Sequence, residues 1–230
     1  MNRPILFRQL FEHLSSTYTY ILGCPITKLA VIIDPVIETA DRDSELIKEL
    51  GLTLTYGLNT HVHADHKTST GELKKHFPKM QSILSEKSGA RADKYVAHGE
   101  KIKAGNIELE ARATPGHTNG CVTYVNHAQG MAFTGDALLI RKCGRTDFQQ
   151  GDVHLLYKSV HEQIFSLPDD YILYPGHDYT GQTCTSVAEE KKFNKRLAKS
   201  EEEFVQLMKN LNLPYPEQIE KAVPYNMRCG

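Results

Sequence analysis

Three histidines and an aspartate fall within six consecutive residues, from His61 to His66, in the order His-Val-His-Ala-Asp-His. Residues two apart on an extended backbone point to the same side, so His61 and His63 are predicted to share one face of the chain. Asp65 and His66 then begin the turn into the next element. Neutral imidazoles and carboxylates at this spacing suit zinc, iron or manganese. The segment therefore indicates a metal site rather than a polar loop that merely contains histidines.

Three further segments repeat the same local form, in which an apolar strand runs into a tight turn that presents one metal-ligand side chain. Loops at strand ends are where binding sites are commonly built on a rigid sheet. One Pro-Gly-His or Gly-Asp sequence is a weak signal and more often marks only a turn, but the ordered set is a strong signal. The three segments are Thr114-Pro115-Gly116-His117, Phe133-Thr134-Gly135-Asp136 and Tyr174-Pro175-Gly176-His177.

Alternating and continuous apolar runs predict the strands and helices that must position these ligands. The predicted strands are Thr17–Leu22, Leu29–Val36, Thr53–Val62, Gln81–Leu84, Asn106–Thr114, Cys121–Val125, Met131–Thr134 and Tyr171–Tyr174. The predicted helices are Asp41–Leu50, Lys67–Phe77, Val153–Phe165, Val187–Leu197 and Glu201–Leu211. Strands come first and a mixture follows, which favours an α/β sandwich over strict βαβ alternation. With no linker visible, we predict a single domain over residues 1–230 that ends in a helical segment.

The composition limits what this site can serve. The chain has 230 residues, with 27 Lys plus Arg against 28 Asp plus Glu, and a formal net charge of -1. This balance argues against a basic nucleic-acid footprint. No apolar run approaches the roughly 20 residues that a membrane helix needs. We therefore expect neither a nucleic acid nor a membrane as a partner.

The cysteines are odd in number and form no Cys-x-x-Cys pair, which is typical of free thiols in a reducing, intracellular compartment. The first residues show neither a secretory signal nor an Arg-rich transit peptide. A transit peptide removed earlier would leave a mitochondrial address open. The cysteines are Cys24, Cys121, Cys143, Cys184 and Cys229.

The ordered ligand set resembles that of the metallo-β-lactamase superfamily. This resemblance implies an αββα sandwich of two packed mixed sheets flanked by helices, with the metal site along one edge of the sheets. It also implies two neighbouring metal positions. One would use His61, His63 and His117, and the other Asp65, His66 and His177, with Asp136 bridging the two.

Within that superfamily the chain resembles the persulfide dioxygenase family over nearly its whole length. The resembling segments are Ile33–Val36, Glu45–Leu52, Asn59–His66, Ala132–Ile140, Cys143–Gly151, Ser159–Ile164 and Ala222–Gly230. Cys143–Gly151 is the most specific of them, because it separates this family from the hydrolases. The chain departs from the family pattern at three positions, where alanine is expected at Gly176 and proline at Asn119 and Lys195. These departures concern loop geometry and substrate fit.

The family resemblance implies one Fe(II) per chain, held by a two-histidine-one-carboxylate set of His61, His117 and Asp136. Such a set leaves coordination positions open, and iron adds the redox chemistry that zinc lacks. The implied reaction converts glutathione persulfide, O2 and water to glutathione and sulfite. The remaining ligand candidates would then orient the ligands and water by hydrogen bonds. These are His63, Asp65, His66, His177 and also Asp178, for which a simple turn cap is the alternative.

The same resemblance suggests three substrate-binding residues. Arg145 would support the site loop or attract an anionic substrate, unless it simply pairs with nearby Asp147. Tyr179 would face the pocket. Arg196 would bind a glutathione carboxylate, unless it lies on a solvated helix face. The family also suggests a homodimer, and a location in the mitochondrial matrix of a eukaryote or the cytoplasm of a bacterium.

Three other functions compete with this interpretation. A glyoxalase II-like thioester hydrolase would use the same ligands for two metals and a bridging hydroxide. Only 53 residues follow His177 (230 minus 177), which leaves little room for the C-terminal substrate domain of such hydrolases. A non-catalytic metal-binding scaffold is disfavoured by the intact ligand set. A nucleic-acid processing enzyme is disfavoured by the near-neutral charge.

Overall fold

Two six-stranded β-sheets pack face to face in the computed structural model, which describes residues 4–228. The first sheet contains, in spatial order, β1 (Leu6–Glu12), β2 (Thr17–Gly23), β3 (Leu29–Ile33), β4 (Thr53–Leu58), β5 (Gln81–Ser85) and β6 (Lys94–Val96). Strands β1 to β3 pair antiparallel, and β3 to β6 pair parallel.

The second sheet is built from the later part of the chain. It contains β7 (Lys101–Ala104), β8 (Ile107–Ala113), β9 (Val122–Asn126), β10 (Met131–Gly135), β11 (Ile172–Pro175) and β12 (Thr185–Ser186), in that spatial order. All neighbours pair antiparallel except β10 and β11, which are parallel.

Helices cover the outer face of each sheet. The helices are α1 (Ala40–Glu49), α2 (Thr70–His76), α3 (Val153–Ser159), α4 (Val187–Phe193), α5 (Glu201–Lys209) and α6 (Ile219–Asn226). Helices α1 and α2 pack on the first sheet, and α3, α4 and α5 pack on the second. No helix within residues 4–228 is long and apolar enough to cross a bilayer.

The buried strands place alternate side chains on two different cores. Tyr20 and Val31 face the space between the sheets, where Phe133 of the second sheet meets them. Ile21 and Ile32, one position along, face α1 and α2. A strand buried on both faces has a nearly continuous apolar sequence, which explains the unbroken runs seen in the chain. The predicted αββα sandwich is confirmed.

Two predicted strands end earlier in the structure. Strand β3 stops at Ile33 rather than Val36, because the next residue is Asp34, with φ +49°, followed by a proline that has no N–H for the ladder. Strand β4 stops at Leu58 rather than Val62. The following backbone leaves the sheet, and Thr60 N donates to the Asp34 carboxylate at 2.7 Å.

Four of the five helix predictions were also too long, while Asp41–Leu50 matches α1 within one residue at each end. Helix α2 begins only at Thr70, after Thr68 has formed a β-bridge with Val36. The predicted helix Val187–Leu197 ends at Phe193, and Val153–Phe165 is an α-helix to Ser159 followed by a π-helical turn. The sequence patterns missed β1, β6, β7, β12 and α6 altogether. These are short or edge elements with mixed charges, or, in α6, a helix that contains Pro224.

The two sheets are joined at the edge where the predicted ligands lie. Val122 N donates to Thr60 O at 2.8 Å, and Tyr18 N donates to Gly176 O at 2.9 Å, so each bond links one sheet to the other. Strands β10 and β11 are parallel, with Gly135 aligned to Pro175, and their carboxyl ends therefore meet at this edge. The loops that follow β4, β8, β10 and β11 converge there.

Candidate metal centre

His61, His117 and Asp136 come together from three separate loops. Each offers one ligand atom, and these atoms all lie within 4.8 Å of one another. His61 is almost fully buried, while His117 and Asp136 are slightly exposed on one side. His63, Asp65 and His66 form a second group that meets the same 4.8 Å limit. The ring centroids of His61 and His63 are 4.1 Å apart, which agrees with the shared face predicted from their spacing.

A buried aspartate orients the first two histidines. Thr60 Oγ1 donates to Asp34 Oδ2 at 2.8 Å, so its lone pair is left to accept from His61 Nδ1 at 3.0 Å. His63 Nε2 lies 3.0 Å from Asp34 Oδ1 and donates to it. His61 therefore presents Nε2, and His63 presents Nδ1, as a free lone pair toward the centre.

His117 is oriented by the backbone of the most specific sequence motif. Its Nδ1 donates to the Arg145 carbonyl at 2.7 Å, so its Nε2, 3.6 Å from Asp136 Oδ2, carries the lone pair. Gly144 allows this approach. A Cβ there would lie 2.9 Å from His117 Nδ1 and 2.5 Å from the Asp136 carbonyl oxygen.

The electrostatics of the centre favour ionised carboxylates beside a neutral His61. At His177 burial lowers the pKa, but Asp136 and Asp65 outweigh it, and the pKa lies above its usual value. Burial, reinforced by the neighbouring His63, lowers the pKa of His61 well below its usual range. Burial raises the pKa of Asp136, but His177, His117 and His61 together outweigh it, and the pKa lies below its ordinary value. The pKa of Asp65 is held well below its usual range in the same way, by His66 and His177 against burial. Neutral imidazole and carboxylate are the forms that bind metals.

Three buried polar atoms at this edge have no hydrogen-bond partner. They are His63 Nδ1, His66 Nε2 and Asp136 Oδ1. An unpartnered buried polar atom is costly, and three converging ones require a ligand that satisfies them together. His177 Nε2 lies 3.5 Å from both Asp136 Oδ1 and Asp65 Oδ2. Nitrogen and oxygen donors of this kind fit a divalent transition-metal ion.

A cavity of about 450 Å³ opens beside His117, Asp136 and His177. Small-molecule sites commonly have volumes of this order. Its outer wall includes the segment from Leu213 to Pro216. Its lining contains three cations (Lys142, Arg145 and Arg196) and three aromatic rings (Phe148, Tyr179 and Tyr215).

Arg145 lines the cavity, but its guanidinium is already engaged. Nε and Nη2 pair with the Asp147 carboxylate at 2.6 and 2.7 Å, and Nη1 donates to the Pro214 carbonyl at 2.8 Å. The guanidinium also lies 4.6 Å from the Phe148 ring centre. The pairing with Asp147 that the sequence left open is therefore present. Through Pro214, Arg145 also ties the outer wall of the cavity to the loop that orients His117.

Tyr179, Arg196 and Asp178 occupy different positions relative to the cavity. The Tyr179 ring is 65% exposed and stacks on His177 with centroids 6.1 Å apart. Arg196 is half-buried and donates to the Cys143 carbonyl at 2.9 Å. Among the described residues, neither Arg196 nor Lys142 forms an ion pair with a carboxylate. Asp178 accepts from the backbone N–H groups of Thr180 and Gln182 at 2.7 and 2.9 Å, which is the turn-cap alternative.

Gly176, where the resemblance leads one to expect alanine, lies against a ligand candidate. A Cβ at this position would be 2.7 Å from Asp136 Oδ1. Alanine would therefore require that carboxylate oxygen to shift by several tenths of an ångström. The glycine leaves the Asp136 carboxylate free to approach His177.

Sequence reasoning missed three residues that support the centre. Asp34 orients His63 and positions Thr60. Asn226, on α6, donates to the carbonyls of His63 and His66 at 2.9 and 2.8 Å. Thr17 contacts His66 and His177 through its hydroxyl. Asp34 and Asn226 lie inside segments that carried the family resemblance, so a signal existed. The predicted thiol Cys229 lies outside the described residues, and the other four cysteines are free.

Comparison with known proteins gives a consistent result. The family model of the metallo-beta-lactamase superfamily matches residues 14–177. Persulfide dioxygenase ETHE1, mitochondrial, from Mus musculus is 59% identical over 227 residues, which covers 99% of this chain and 89% of the relative. The Homo sapiens protein of the same name has the same identity and coverage. The crystal structure of ETHE1 from Myxococcus xanthus matches with a TM-score of 0.94 at 49% identity, covering 98% of this chain and 99% of the other.

Proposed function

This chain belongs to the metallo-beta-lactamase superfamily and, within it, to the persulfide dioxygenase family, and from that premise we propose that it oxidises glutathione persulfide with one Fe(II) per chain. The observation that carries the proposal is the convergence of His61, His117 and Asp136 within 4.8 Å beside the cavity. When bound, Fe(II) supplies redox chemistry that zinc lacks, and two histidines with one carboxylate leave coordination positions open.

The proposed reaction converts glutathione persulfide, dioxygen and water to glutathione, sulfite and two protons. The S–S bond breaks, and the inner sulfur leaves as the thiol of glutathione. The terminal sulfur is oxidised, and dioxygen is the oxidant that is reduced. Sulfite receives two oxygens from dioxygen and one from water, and the protons are released to solvent.

We assign separate tasks to the residues on the two sides of the centre. His61, His117 and Asp136 would hold the metal, with their ring tautomers fixed by Thr60 and by the Arg145 carbonyl. Histidine hydrogen bonds of this kind fix ring orientation and raise ligand basicity. The residues of the second group, with His177, would orient water beside the reacting sulfur. They are His63, Asp65 and His66.

The cations of the cavity give it a preference for anionic substrates. Lys142 and Arg196 line it without a carboxylate partner among the described residues, and glutathione carries two carboxylates that such groups bind. Tyr179 offers an aromatic face at the same opening. Arg145 would shape the outer wall through Pro214 rather than meet the substrate with a free guanidinium.

The second donor group supports one other candidate function. His63, Asp65 and His66, with His177 and a bridging Asp136, could hold a second metal ion, as a thioester hydrolase would need. That enzyme would also act on a glutathione conjugate. The two functions differ in metal, in stoichiometry and in their need for dioxygen.

An oxygen electrode separates these functions directly. Metal-free chain would be loaded with Fe(II) or with Zn(II), and each form assayed with glutathione persulfide and with S-lactoylglutathione. We expect oxygen uptake and sulfite release only from the iron form, at one iron per chain. Asp136→Ala should abolish both, and Asp169→Ala, which removes only an exposed ion pair with Lys191, is the matched control. Thioester hydrolysis by a two-zinc form without oxygen uptake would reverse the assignment.

We propose a reducing, intracellular compartment for the chain. Four described cysteines are free thiols, and the mouse and human relatives carry the word mitochondrial in their names. Disulfides are rare where glutathione keeps thiols reduced. The proposed substrate is itself a derivative of that thiol pool.

A further inference from the structure

A chain of hydrogen bonds runs from the turn between β1 and β2 to two histidines of the centre. The Ser15 hydroxyl donates to Glu12 Oε2 at 2.6 Å, and the hydroxyl oxygens of Ser15 and Thr17 lie 2.7 Å apart. Thr17 Oγ1 lies 3.3 Å from His66 Nδ1 and 3.3 Å from His177 Nδ1. One buried hydroxyl therefore contacts two imidazoles that are far apart in the sequence.

Glu12, the carboxylate at the first position of this series of hydrogen bonds, sets their direction. Burial raises the pKa of Glu12, but hydrogen bonds from Ser15 and from the Leu14 N–H outweigh it and hold the pKa below its usual value. Ionised Glu12 can only accept, so the hydroxyl hydrogen of Ser15 is used. Thr17 then donates its own hydrogen to Ser15 Oγ at 2.7 Å, because its other acceptor, Asp65 Oδ2, lies farther away at 3.5 Å. Its two lone pairs remain for two N–H donors.

His66 and His177 are the donors at that oxygen, so both carry a hydrogen on Nδ1, and Nε2 is the ring nitrogen left to face the centre. Two independent contacts agree with this assignment. Asp65 Oδ2 lies 2.9 Å from His66 Nδ1, and the Ser16 backbone hydrogen-bonds to His177. His66 Nε2 is buried without a partner.

We propose that Thr17, backed by Ser15 and Glu12, is a positioning relay that holds Nδ1 of His66 and of His177 at its hydroxyl, so that Nε2 of each ring is turned toward the reacting centre. If the Thr17 hydroxyl instead donated to one imidazole, that ring would point an N–H at the place where a cation binds. Asp65 Oδ2 also lies near both rings, 2.9 Å from His66 Nδ1 and 3.5 Å from His177 Nε2, whereas the Thr17 hydroxyl contacts Nδ1 of both. With Nδ1 held at Thr17, neither ring turns that N–H toward the place where a cation binds.

The relay deepens the proposed function and rests on it. His177 Nε2 lies 3.5 Å from Asp136 Oδ1 and from Asp65 Oδ2. The relay would hold His177 Nε2 beside these two carboxylates, where it can orient the water that the proposed reaction consumes.

Histidine ring NMR of the metal-free full-length chain tests the relay without any turnover. Two-bond ¹H–¹⁵N spectra show which ring nitrogen carries a hydrogen, and wild type should show a hydrogen on Nδ1 of both His66 and His177. Thr17→Val keeps the shape and removes the hydroxyl, and should disturb this pattern at both rings. Thr17→Ser should restore it. Ser15→Ala, at a half-exposed turn position, should disturb at least one ring even if Thr17→Val does not fold.

Turnover then shows what the relay contributes. We expect Thr17→Val to lower kcat for oxygen uptake by about 10- to 100-fold, with KM and bound iron unchanged, because partners of this kind have effects of that size. Thr123→Val is the matched control, since Thr123 is equally buried but bonds only to the Thr114 hydroxyl.

Unchanged ring spectra in both Thr17→Val and Ser15→Ala would overturn the relay, and so would kcat in Thr17→Val equal to that of the control. A wild-type chain that consumes no oxygen would instead refute the proposed function, while the ring spectra would still decide the relay.

Discussion

His61, His63 and His117 each donate one ring hydrogen to an oxygen outside the ligand set, and each therefore has a single lone pair left. The acceptors differ in kind: a threonine hydroxyl, the Asp34 carboxylate and the Arg145 backbone carbonyl. At the scale of single residues, the centre is made by these acceptors as much as by the histidines. Changing one side chain around the centre should therefore alter one measurable property, such as KM or bound iron, and leave the others unchanged.

Arg145→Met should raise KM for glutathione persulfide about tenfold and leave bound iron at its wild-type value. The variant loses the bond to the Pro214 carbonyl, which is 2.8 Å long, so the outer wall of the cavity is released. The His117 contact survives, because it is made by the backbone carbonyl of residue 145. Steady-state kinetics with metal analysis checks this, and Asp147→Asn should show a weaker form of the same change. Loss of iron with an unchanged KM would contradict it.

Cys143 should resist alkylation at pH 7.5, while Cys184 reacts. Burial raises the pKa of the Cys143 thiol to about 11, so roughly one molecule in a few thousand carries the reactive thiolate at that pH. Cys184 is exposed. Its iodoacetamide adduct should appear first by peptide mass spectrometry, and Cys143 should react only at strongly alkaline pH or in denaturant. Equal labelling of both at neutral pH would contradict the burial of Cys143.

The histidines that the sequence singled out lie together in the structure, but the sequence indicated few of their hydrogen-bond partners. Histidine, aspartate and turn residues can be identified as candidate ligands and turns from their type and spacing, as His61 and His63 are. Asp34 resembles an ordinary strand-end residue, and a backbone carbonyl such as that of Arg145 has no sequence signature at all. Such partners are set by tertiary packing, which local patterns do not encode.

The elements that present the ligands are strands ended by tight turns, and the turns depend on particular glycines. Gly116, just before His117, has φ +130° and packs with no space for a side chain. A Cβ there would lie 2.3 Å from the backbone N and Cα of Leu156 on α3. The turn thus fixes both the position of His117 and the distance between β8 and a helix of the outer layer.

Gly116→Ala should lower the free energy of unfolding by about 2 to 4 kcal/mol, from backbone strain and overlap with α3 together. It should also reduce bound iron, since His117 must move with the turn. Gly181→Ala is the matched control, because Gly181 also has a positive φ, +87°, but nothing lies within 4 Å of its Cβ position. The control should lose about 1 kcal/mol and no iron. Thermal unfolding with metal analysis measures both, and equal loss in the two variants would refute the packing argument.

Six strands were predicted within one residue at each end, the predictions for β3 and β4 ran three and four residues too far, and elements with weak patterns were missed. Strand β10 differs from its predicted range by one residue at the end. Strand β7 was missed because its lysines alternate with only two buried residues, Ile102 and Ala104. Helix α6 contains Pro224, which argues against a helix on local grounds. Tertiary contacts stabilise both elements.

At the scale of the whole molecule, the last helix closes the loop that carries the first ligands. Asn226 on α6 is 2% exposed and uses both ends of its amide. Nδ2 donates to the carbonyls of His63 and His66, and Oδ1 accepts from Thr68 N at 2.9 Å. More than 150 residues separate the partners in the chain. The local sequence pattern of either segment does not predict this contact.

Asn226→Asp should destabilise the chain by about 3 kcal/mol or more and weaken iron binding. The substitution preserves size but turns a carboxylate oxygen toward two carbonyl oxygens, which leaves a buried charge facing like partial charges. Burial raises the pKa of such a carboxyl, and its protonated form can donate again. The deficit relative to wild type should therefore shrink as the pH falls and grow as it rises. Asn226→Leu lacks the titrating group, so its loss of stability relative to wild type should not change with pH.

Urea unfolding at several pH values, with iron competition against a chelator, measures these differences. Asn210→Asp is the matched control, because Asn210 is exposed at the end of α5 and its amide contacts only the Gln206 carbonyl among the described residues. This control should keep wild-type stability and iron affinity. If Asn226→Asp kept its iron affinity while losing stability, α6 would support the fold without positioning His63 and His66. Parallel losses in both properties, relieved together at low pH, would identify the closing helix as part of the metal centre.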